Sequence, residues 1–576
     1  MLKILSIFFT LFFITLSSET NAGSKSNSEE RHSLEAKIDS LVGEHVKLGG
    51  PGCAVGVIKD GKFIFKRGYG LANIDEEVPI TPETVFDIAS MSKQFTAACI
   101  LLLVQQGKLA LDDYVQSYLP ELPGHWGPIT IRQIIHHTSG LPFMIYQMAL
   151  AGLKPNMFSE REILDFISRQ RSLTYSPGEE FFYVGAGYLL LRFIVKRVTG
   201  MSLGEFARRE IFEPLGMRNT FYYEEKHSNI KNKATEYMDD GNGKYQAIQS
   251  PSFKGLSGNI HTTLEDLLHW DRNFVDNQVG GPNFSSLMET RGILNNGDTL
   301  SYAFGLSAGN YRGLKKFSHD GRWGGFLCTM VRFPVQRFTA VILMNYPCYK
   351  LLNKLPYDIA DLYLTDYLEP VEPKTEPELV EQAPVRIDPA IYADYEGQYE
   401  VETPRYVWIW TITNEGDRLM AQPMGSSKFE LLPKSETTFV FMEDRQVYFH
   451  REDGVVTHFI LHQGGLYVRK FKKIKPQLAA SLDSSQIKEL VGDYYSEELQ
   501  VAYHVVIKDG QLLVKNPILP VFFSGITGED PLRQVEGDKF RLGGLNLVFS
   551  RDELGKITGF TLISKQHRIN LEFSKK

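Results

Sequence analysis

The stretch that decides the reading is Phe86-Asp87-Ile88-Ala89-Ser90-Met91-Ser92-Lys93-Gln94-Phe95. Ser90 and Lys93 stand three apart, and an apolar run follows through Val104. A helix starting here puts both side chains on one face of its first turn. A helix N-terminus offers free N–H groups and positive potential, which favour a developing alkoxide or oxyanion. A lysine amine beside a serine hydroxyl can take its proton and make it a nucleophile. The spacing alone is weak evidence. Ser-x-x-Lys recurs at Ser228/Lys231 and Ser485/Lys488, about as often as chance gives for residues this common. Neither recurrence opens a long apolar helix, so context selects Ser90.

Outward from this stretch, the chain on either side reads as one α/β domain over residues 30–368. A helix over Leu34 to Lys47 leads to a hairpin, Cys53 to Lys59 and Phe63 to Tyr69, around the turn Asp60-Gly61. A short helix, Ile129 to His136, ends in His136-His137-Thr138-Ser139-Gly140-Leu141-Pro142. Adjacent histidines lack the separated, convergent spacing of metal ligands. They read instead as a helix end with Gly140 as its cap. Tyr183-Val184-Gly185 precedes a helix over Leu189 to Thr199, stopped by Gly200. Strands return near Tyr302 to Leu306, then at Phe326 to Phe333 and Thr339 to Met344. Strand, helices, strand implies an antiparallel sheet completed by both ends of the domain, with a helical lobe between.

With 576 residues, the chain is long enough for two to four domains. Residues 369–386 are rich in Pro and Glu and read as an extended linker. Beyond them come short alternating strands with Gly and Asp turns, the pattern of small all-β barrels. These residues repeat. Tyr395-Glu396-Gly397-Gln398-Tyr399 echoes Leu490-Val491-Gly492-Asp493-Tyr494, and Phe449-His450-Arg451 echoes Phe549-Ser550-Arg551. That spacing fits two copies of one small domain, 387–476 and 482–576.

Residues 1–22 have the form of a secretory signal: Lys3, an apolar stretch from Ile4 to Leu16, and a small-residue site at Thr20-Asn21-Ala22. The expectation is a secreted or periplasmic protein with no stable membrane span after processing. The net charge of −7 argues against a nucleic-acid partner. Cys53, Cys99, Cys328 and Cys348 form no Cys-x-x-Cys pair. They read mostly as buried thiols, with one disulfide left open and no pairing assigned.

Taken in order, these residues resemble the serine β-lactamase and penicillin-binding-protein superfamily, in its class C-like branch. Ser90-Met91-Ser92-Lys93 fits the superfamily's first motif. Tyr183 stands where its Tyr-x-Asn tyrosine falls, and His319-Asp320-Gly321 fits its Lys- or His-x-Gly motif. His137 to Pro142 and Pro214-Leu215-Gly216-Met217 fit as well. The resemblance implies attack by Ser90, general-base work shared by Lys93 and Tyr183, and an oxyanion held by the backbone N–H groups of Ser90 and Arg322. It implies His319 on the opposite wall and Gly321 letting substrate lie against the strand edge. It requires no metal or organic cofactor.

Two departures stand out. Gly185 replaces the usual Asn and supplies no amide, and His319 replaces Lys and weakens attraction for a substrate carboxylate. Both point away from efficient β-lactam hydrolysis, toward esterase or D-aminopeptidase-like members acting on a small-molecule or peptidoglycan-derived substrate. The alternatives are a β-lactamase or D,D-peptidase, and a penicillin- or peptidoglycan-binding module without turnover. Gly305-Leu306-Ser307-Ala308-Gly309 also matches a Gly-x-Ser-x-Gly nucleophile elbow. A turn and another strand follow it, so Ser307 is read as a decoy.

Overall fold

A computed structural model describes residues 32–576 apart from 154–158, 224–229, 240–243, 249–258, 371–384, 386, 403–406, 424–427, 443–444, 464–466, 475–483, 517–528, 543–544 and 565–568. The expected signal, most of the linker and Ser228 lie outside the described residues.

The first domain is built on a six-stranded antiparallel sheet. Its strands are β1 (Cys53–Lys59), β2 (Lys62–Tyr69), β3 (Ser307–Tyr311), β4 (Leu314–Trp323), β5 (Phe326–Phe333) and β6 (Phe338–Met344), in the order β3-β4-β5-β6-β1-β2. The two ends of the domain meet where β1 pairs with β6, Cys53 opposite Met344 and Lys59 opposite Phe338. The β1–β2 hairpin turns through Asp60 (φ 50°) and Gly61 (φ 71°), the two left-handed residues that a tight hairpin turn requires.

Each face of the sheet carries its own core. Cys53, Val55 and Val57 face one way, against Ile38 and Val42 of the N-terminal helix α1 (32–43) and Leu355 and Ile359 of α6 (Leu355–Tyr363). Ala54 and Ile58 face the other way, toward α2 (Lys93–Gln105) and α5 (Leu264–Asp276). Gly56 lies on that second face, where a Cβ would come within 2.7 Å of Leu264 Cδ1. Its missing side chain therefore sets how closely α5 approaches the sheet. Every residue of α2 from Lys93 to Leu103 is buried, as befits an apolar helix enclosed on all sides. Two further helices complete the frame of the site, α3 (Ile131–Ile135) and α4 (Gly185–Thr199). The latter starts four residues earlier than its apolar run suggests.

Two β domains follow. The first is a closed eight-stranded barrel from Gly397–Glu402 to Tyr467–Ile474. The second is a nine-stranded sheet in which Gly492–Ser496 pairs with the last strand, Ile569–Lys575. It stays open between Glu529–Pro531 and Arg533–Glu536. The two carry the same devices at matching places. The Tyr399 hydroxyl donates to the Tyr395 carbonyl at 2.8 Å, and Tyr494 to Leu490 at 2.7 Å. Lys473 donates to the carbonyl of Asp394, and Lys575 to that of Glu489. Arg451 pairs with Asp394, and Arg551 with Glu489.

All four thiols are unpaired, with Cys53, Cys99 and Cys328 buried and Cys348 partly so. No helix among the described residues is long and apolar enough to cross a membrane.

Candidate active site

Phe86–Asp87 is a two-residue strand paired with Thr262 and His261. It runs into a tight 3₁₀ turn, Ala89–Ser92, and only then into α2. Ser90 therefore precedes the α-helix, and Lys93 is its first residue. The pairing survives this shift, because Lys93 Nζ donates to Ser90 Oγ at 3.0 Å. Ala89 has φ 44°, a left-handed conformation that costs a non-glycine residue roughly 1–2 kcal/mol.

Four hydrogen bonds hold the strained turn. The Ala89 N–H donates to Asp87 Oδ1 at 2.7 Å, and Asn259 Nδ2 donates to the other Asp87 oxygen at 3.0 Å. The Ile260 N–H donates to Ser92 Oγ at 2.8 Å. The Cys328 thiol donates to the Ile88 carbonyl at 3.2 Å. Burial pushes the Asp87 carboxyl up to about 6, against these donors. Gly321 also has a packing role that the sequence did not show. A Cβ there would sit 2.2 Å from the Ile88 carbonyl oxygen and 2.4 Å from Cys328 Sγ. Its bare backbone admits the Ala89–Ser92 turn against β4.

Lys93 is 7% exposed. Its Nζ lies 5.0 Å from the centre of the Tyr183 ring and 5.6 Å from that of Tyr188, a cation held over aromatic faces. Tyr183 is 37% exposed, the most open of the three expected catalytic groups. It meets Lys93 through its ring face, and its ring also stands 6.1 Å from that of His319.

His319 lies on β4 and is buried. Its Nδ1–H donates to the Asp320 carbonyl at 2.7 Å. That tautomer leaves Nε2 to accept from the Tyr302 hydroxyl at 3.1 Å. Burial, then the nearby Lys93 ammonium, push the imidazole down to about 4, so it is neutral near pH 7. With both nitrogens engaged, His319 acts as a fixed wall. Arg322 alternates with His319 and Gly321 along the strand, so its side chain leaves by the other face. The guanidinium lies 5.6 Å from the Tyr349 ring centre and 3.5 Å from Asp320. Only the Arg322 backbone is left to face Ser90. Gly185 is the first residue of α4, and a Cβ there would meet nothing within 4 Å.

The structure thus gathers Ser90, Lys93, Tyr183, His319 and Gly321 around one point. Sequence reasoning missed Asp87, Asn259 and Tyr302, which act through contacts between distant segments. Asp87 alone gave a signal, as an acidic residue between apolar ones, three positions before Ser90. Gly140 is not the helix cap. The left-handed residue beyond α3 is His137 (φ 58°), while Gly140 (φ 75°) packs against Tyr175, whose carbonyl oxygen would lie 2.1 Å from a Cβ. Ser307 sits in β3 opposite Ser318, away from any strand-to-helix turn. Ser485 and Lys488 lie on a short helix, Ser484–Glu489, beside the second barrel.

Comparison with known proteins agrees with this geometry. The beta-lactamase family model matches residues 38–361. Penicillin-binding protein 4* of Bacillus subtilis is 28% identical over 457 residues, covering 76% of this chain and 97% of the relative. The D-aminopeptidase of Gluconobacter oxydans is 28% identical over 327 residues, 54% of this chain and 58% of that enzyme, so the chain spans less than two thirds of it. Among solved structures, the octameric penicillin-binding protein homologue from Pyrococcus abyssi shares the fold. It has a TM-score of 0.52 at 24% identity, covering 77% of this chain and 99% of that one. A family match across more than half of the residues, on a sheet and helical lobe that bring Lys93 to Ser90, means that the chain belongs to the beta-lactamase family of serine hydrolases.

Proposed function

We propose that the protein hydrolyses a carboxylic ester or a small D-amino-acid amide through an acyl-Ser90 intermediate. The observation that carries this reading is the 3.0 Å hydrogen bond from Lys93 to Ser90 Oγ on a strained, buried turn. Ser90 Oγ attacks the carbonyl carbon while its proton passes to the Lys93 and Tyr183 pair, which acts as base in the form that has already given up one proton. The negative charge on the carbonyl oxygen is met by the backbone N–H groups of Ser90 and Arg322, worth roughly 10²–10³ in rate for each donor. The C–O or C–N bond then breaks and the leaving group takes up the proton. Water attacks the acyl-enzyme by the reverse route and frees Ser90.

The substrate class follows from what the pocket lacks. Gly185 offers no amide to a β-lactam or peptide carbonyl, a hydrogen bond worth roughly 1–3 kcal/mol. His319 is held neutral and offers a substrate carboxylate no charge. Similarity to a D-aminopeptidase supports the D-amino-acid arm. The first domain's wider likeness to penicillin-binding proteins keeps β-lactamase or D,D-peptidase activity as the second reading. A secreted or periplasmic location suits either one.

The test is a rate panel on the mature chain with Ser90→Ala as blank. It compares a short-chain aryl ester, a D-alanine anilide and a chromogenic cephalosporin. Turnover confined to the first two, and abolished in Ser90→Ala, is expected. Strong cephalosporin turnover would favour the second reading. A mass adduct on Ser90 that persists without turnover would mean a binding module.

A further inference from the structure

His137 is buried beneath the site, in a run that the proposed chemistry does not use. Its backbone carbonyl accepts the Phe182 N–H at 2.9 Å. Its Nδ1 accepts the Val184 N–H at 3.3 Å. The two residues flanking Tyr183 are therefore both hydrogen-bonded to this one residue. The His137 ring also packs against the Tyr183 ring, with centroids 4.3 Å apart. A single residue reaches both neighbours because its backbone is left-handed, φ 58°, which folds its ring back beside its own carbonyl.

We propose that His137 is the positioning residue for Tyr183, clamping the backbone on both sides of it and fixing its ring beside Lys93. The assignment deepens the proposed function, since it rests on Tyr183 sharing the proton transfer. It explains why a histidine stands here rather than an apolar residue of similar size. Only the neutral tautomer with its proton on Nε2 can accept from Val184. Burial, with the charge of Lys93 and proximity to His319 and His136, keeps the second proton off. That Nε2–H is buried and has no hydrogen-bond partner among the described residues. The His137 ring also packs against the rings of Tyr188 and Tyr302, with centroids 5.2 Å and 4.9 Å away. An unpaired buried donor is costly. Leucine would fill the space without stranding a donor, though at greater cost in the left-handed backbone, and the acceptor at Nδ1 is the contact no apolar side chain supplies. The clamp also sets the start of α4, because Val184 is its N-cap and has no side-chain cap of its own.

The experiment reads Ser90 acylation directly, so it needs no natural substrate. Full-length wild type, His137→Leu, His137→Asn, Tyr183→Phe and the His137→Leu/Tyr183→Phe double variant are treated with a fluorophosphonate probe. Labelling of Ser90 is followed by intact mass. His137→Leu is expected to slow labelling at least about 10-fold, a part of the roughly 10²–10⁴-fold that full loss of acid–base assistance costs. His137→Asn, whose side-chain carbonyl can accept from Val184, is expected to recover most of that loss. In the Tyr183→Phe background His137→Leu should add little, because residues acting as one unit are not additive. Equal losses in the leucine and asparagine variants, full additivity with Tyr183→Phe, or an indifferent His137→Leu would each overturn the assignment. An unlabelled wild type would instead sink the Ser90 reading, and this inference with it.

Discussion

Gly185 stands at the head of α4, and nothing lies within 4 Å of where a side chain would begin. Gly185→Asn therefore fits without strain and returns an amide to the site. It is expected to raise the rate of Ser90 acylation by a chromogenic cephalosporin, in stopped-flow absorbance, several-fold. An unchanged rate would mean that the missing amide does not set substrate choice. Two of the shifted titrations in the site make a second prediction. Folding lowers His319 from 6.5 to about 4. Between those values the unfolded chain binds a proton that the native chain refuses, so this contribution is full above pH 6.5 and lost as pH falls through 4. Folding raises Asp87 from 3.8 to about 6, and its contribution runs the other way, full below 3.8 and lost as pH rises through 6. The two slopes oppose each other in one window. From pH 6 to pH 4, His319→Gln should lose less Tm than wild type, and Asp87→Asn should lose more. Parallel curves for the three proteins would refute both assignments. At this scale the sequence displayed Ser90 and Lys93, because their partnership is local. The Asp87–Asn259 and Tyr302–His319 contacts join residues 172 and 17 positions apart, and no periodicity reports such meetings.

Helix α5 is tied to the sheet by a buried ion pair. Arg332 Nε on β5 donates to Asp271 Oδ1 at 3.0 Å, with side chains 5% and 6% exposed. Thr339 of β6 donates to the same oxygen at 2.7 Å, and the guanidinium lies 3.9 Å from the Phe274 ring centre, one turn further along α5. Removing one member of such a pair strands a buried charge, which costs about 3–5 kcal/mol. Asp271→Ala should lower the first domain's unfolding free energy by that much, read from denaturant curves followed by tryptophan fluorescence. A cost under about 1 kcal/mol would show that water or Glu289, at 3.8 Å from Arg332, takes over. The elements themselves were largely legible. The hairpin follows from the pair Asp60-Gly61, and α2 follows from its unbroken apolar run. The boundaries of α2 and α3 were not. Ser90 looks helical by spacing, but its turn is tightened by Asp87. His137 looks like an ordinary residue three places before a glycine, yet it takes the left-handed position, which brings its carbonyl and ring to the Tyr183 segment.

Across the whole molecule, the two barrels differ in what their interiors meet. Tyr399 pairs across its strand with Trp410, and Tyr494 with Tyr503, so Trp410 and Tyr503 hold equivalent places. The Trp410 ring is packed among Phe429, Phe441, Phe459 and Phe471, and the first barrel's core is self-contained. Tyr503 instead sends its hydroxyl out of the barrel to the Leu150 carbonyl at 2.8 Å, and the second barrel's core runs on into that of the first domain. Leu150 closes the short helix Met144–Leu150, which follows directly on the His137 to Pro142 run. The repeat announced two similar domains, but the contrast between them turns on a single aromatic pair whose surroundings only the fold assembles. Arg171 and Glu572 add a salt bridge of 2.5 Å across the same junction, but both are more than half exposed, and such a pair contributes little. The buried contact is the one to test. Tyr503→Phe keeps the ring and removes the hydroxyl, leaving the Leu150 carbonyl short of a partner at a cost of roughly 1–3 kcal/mol. Tyr503→Ala also opens a cavity at the junction, for a total of about 3–5 kcal/mol. Hydrogen exchange of the Met144–Leu150 amides should rise in that order, and fluorophosphonate labelling of Ser90 should slow in step if the junction braces the Tyr183 clamp. Faster exchange with unchanged labelling would confine the second barrel to a stabilising part, since the helix would then loosen without disturbing His137.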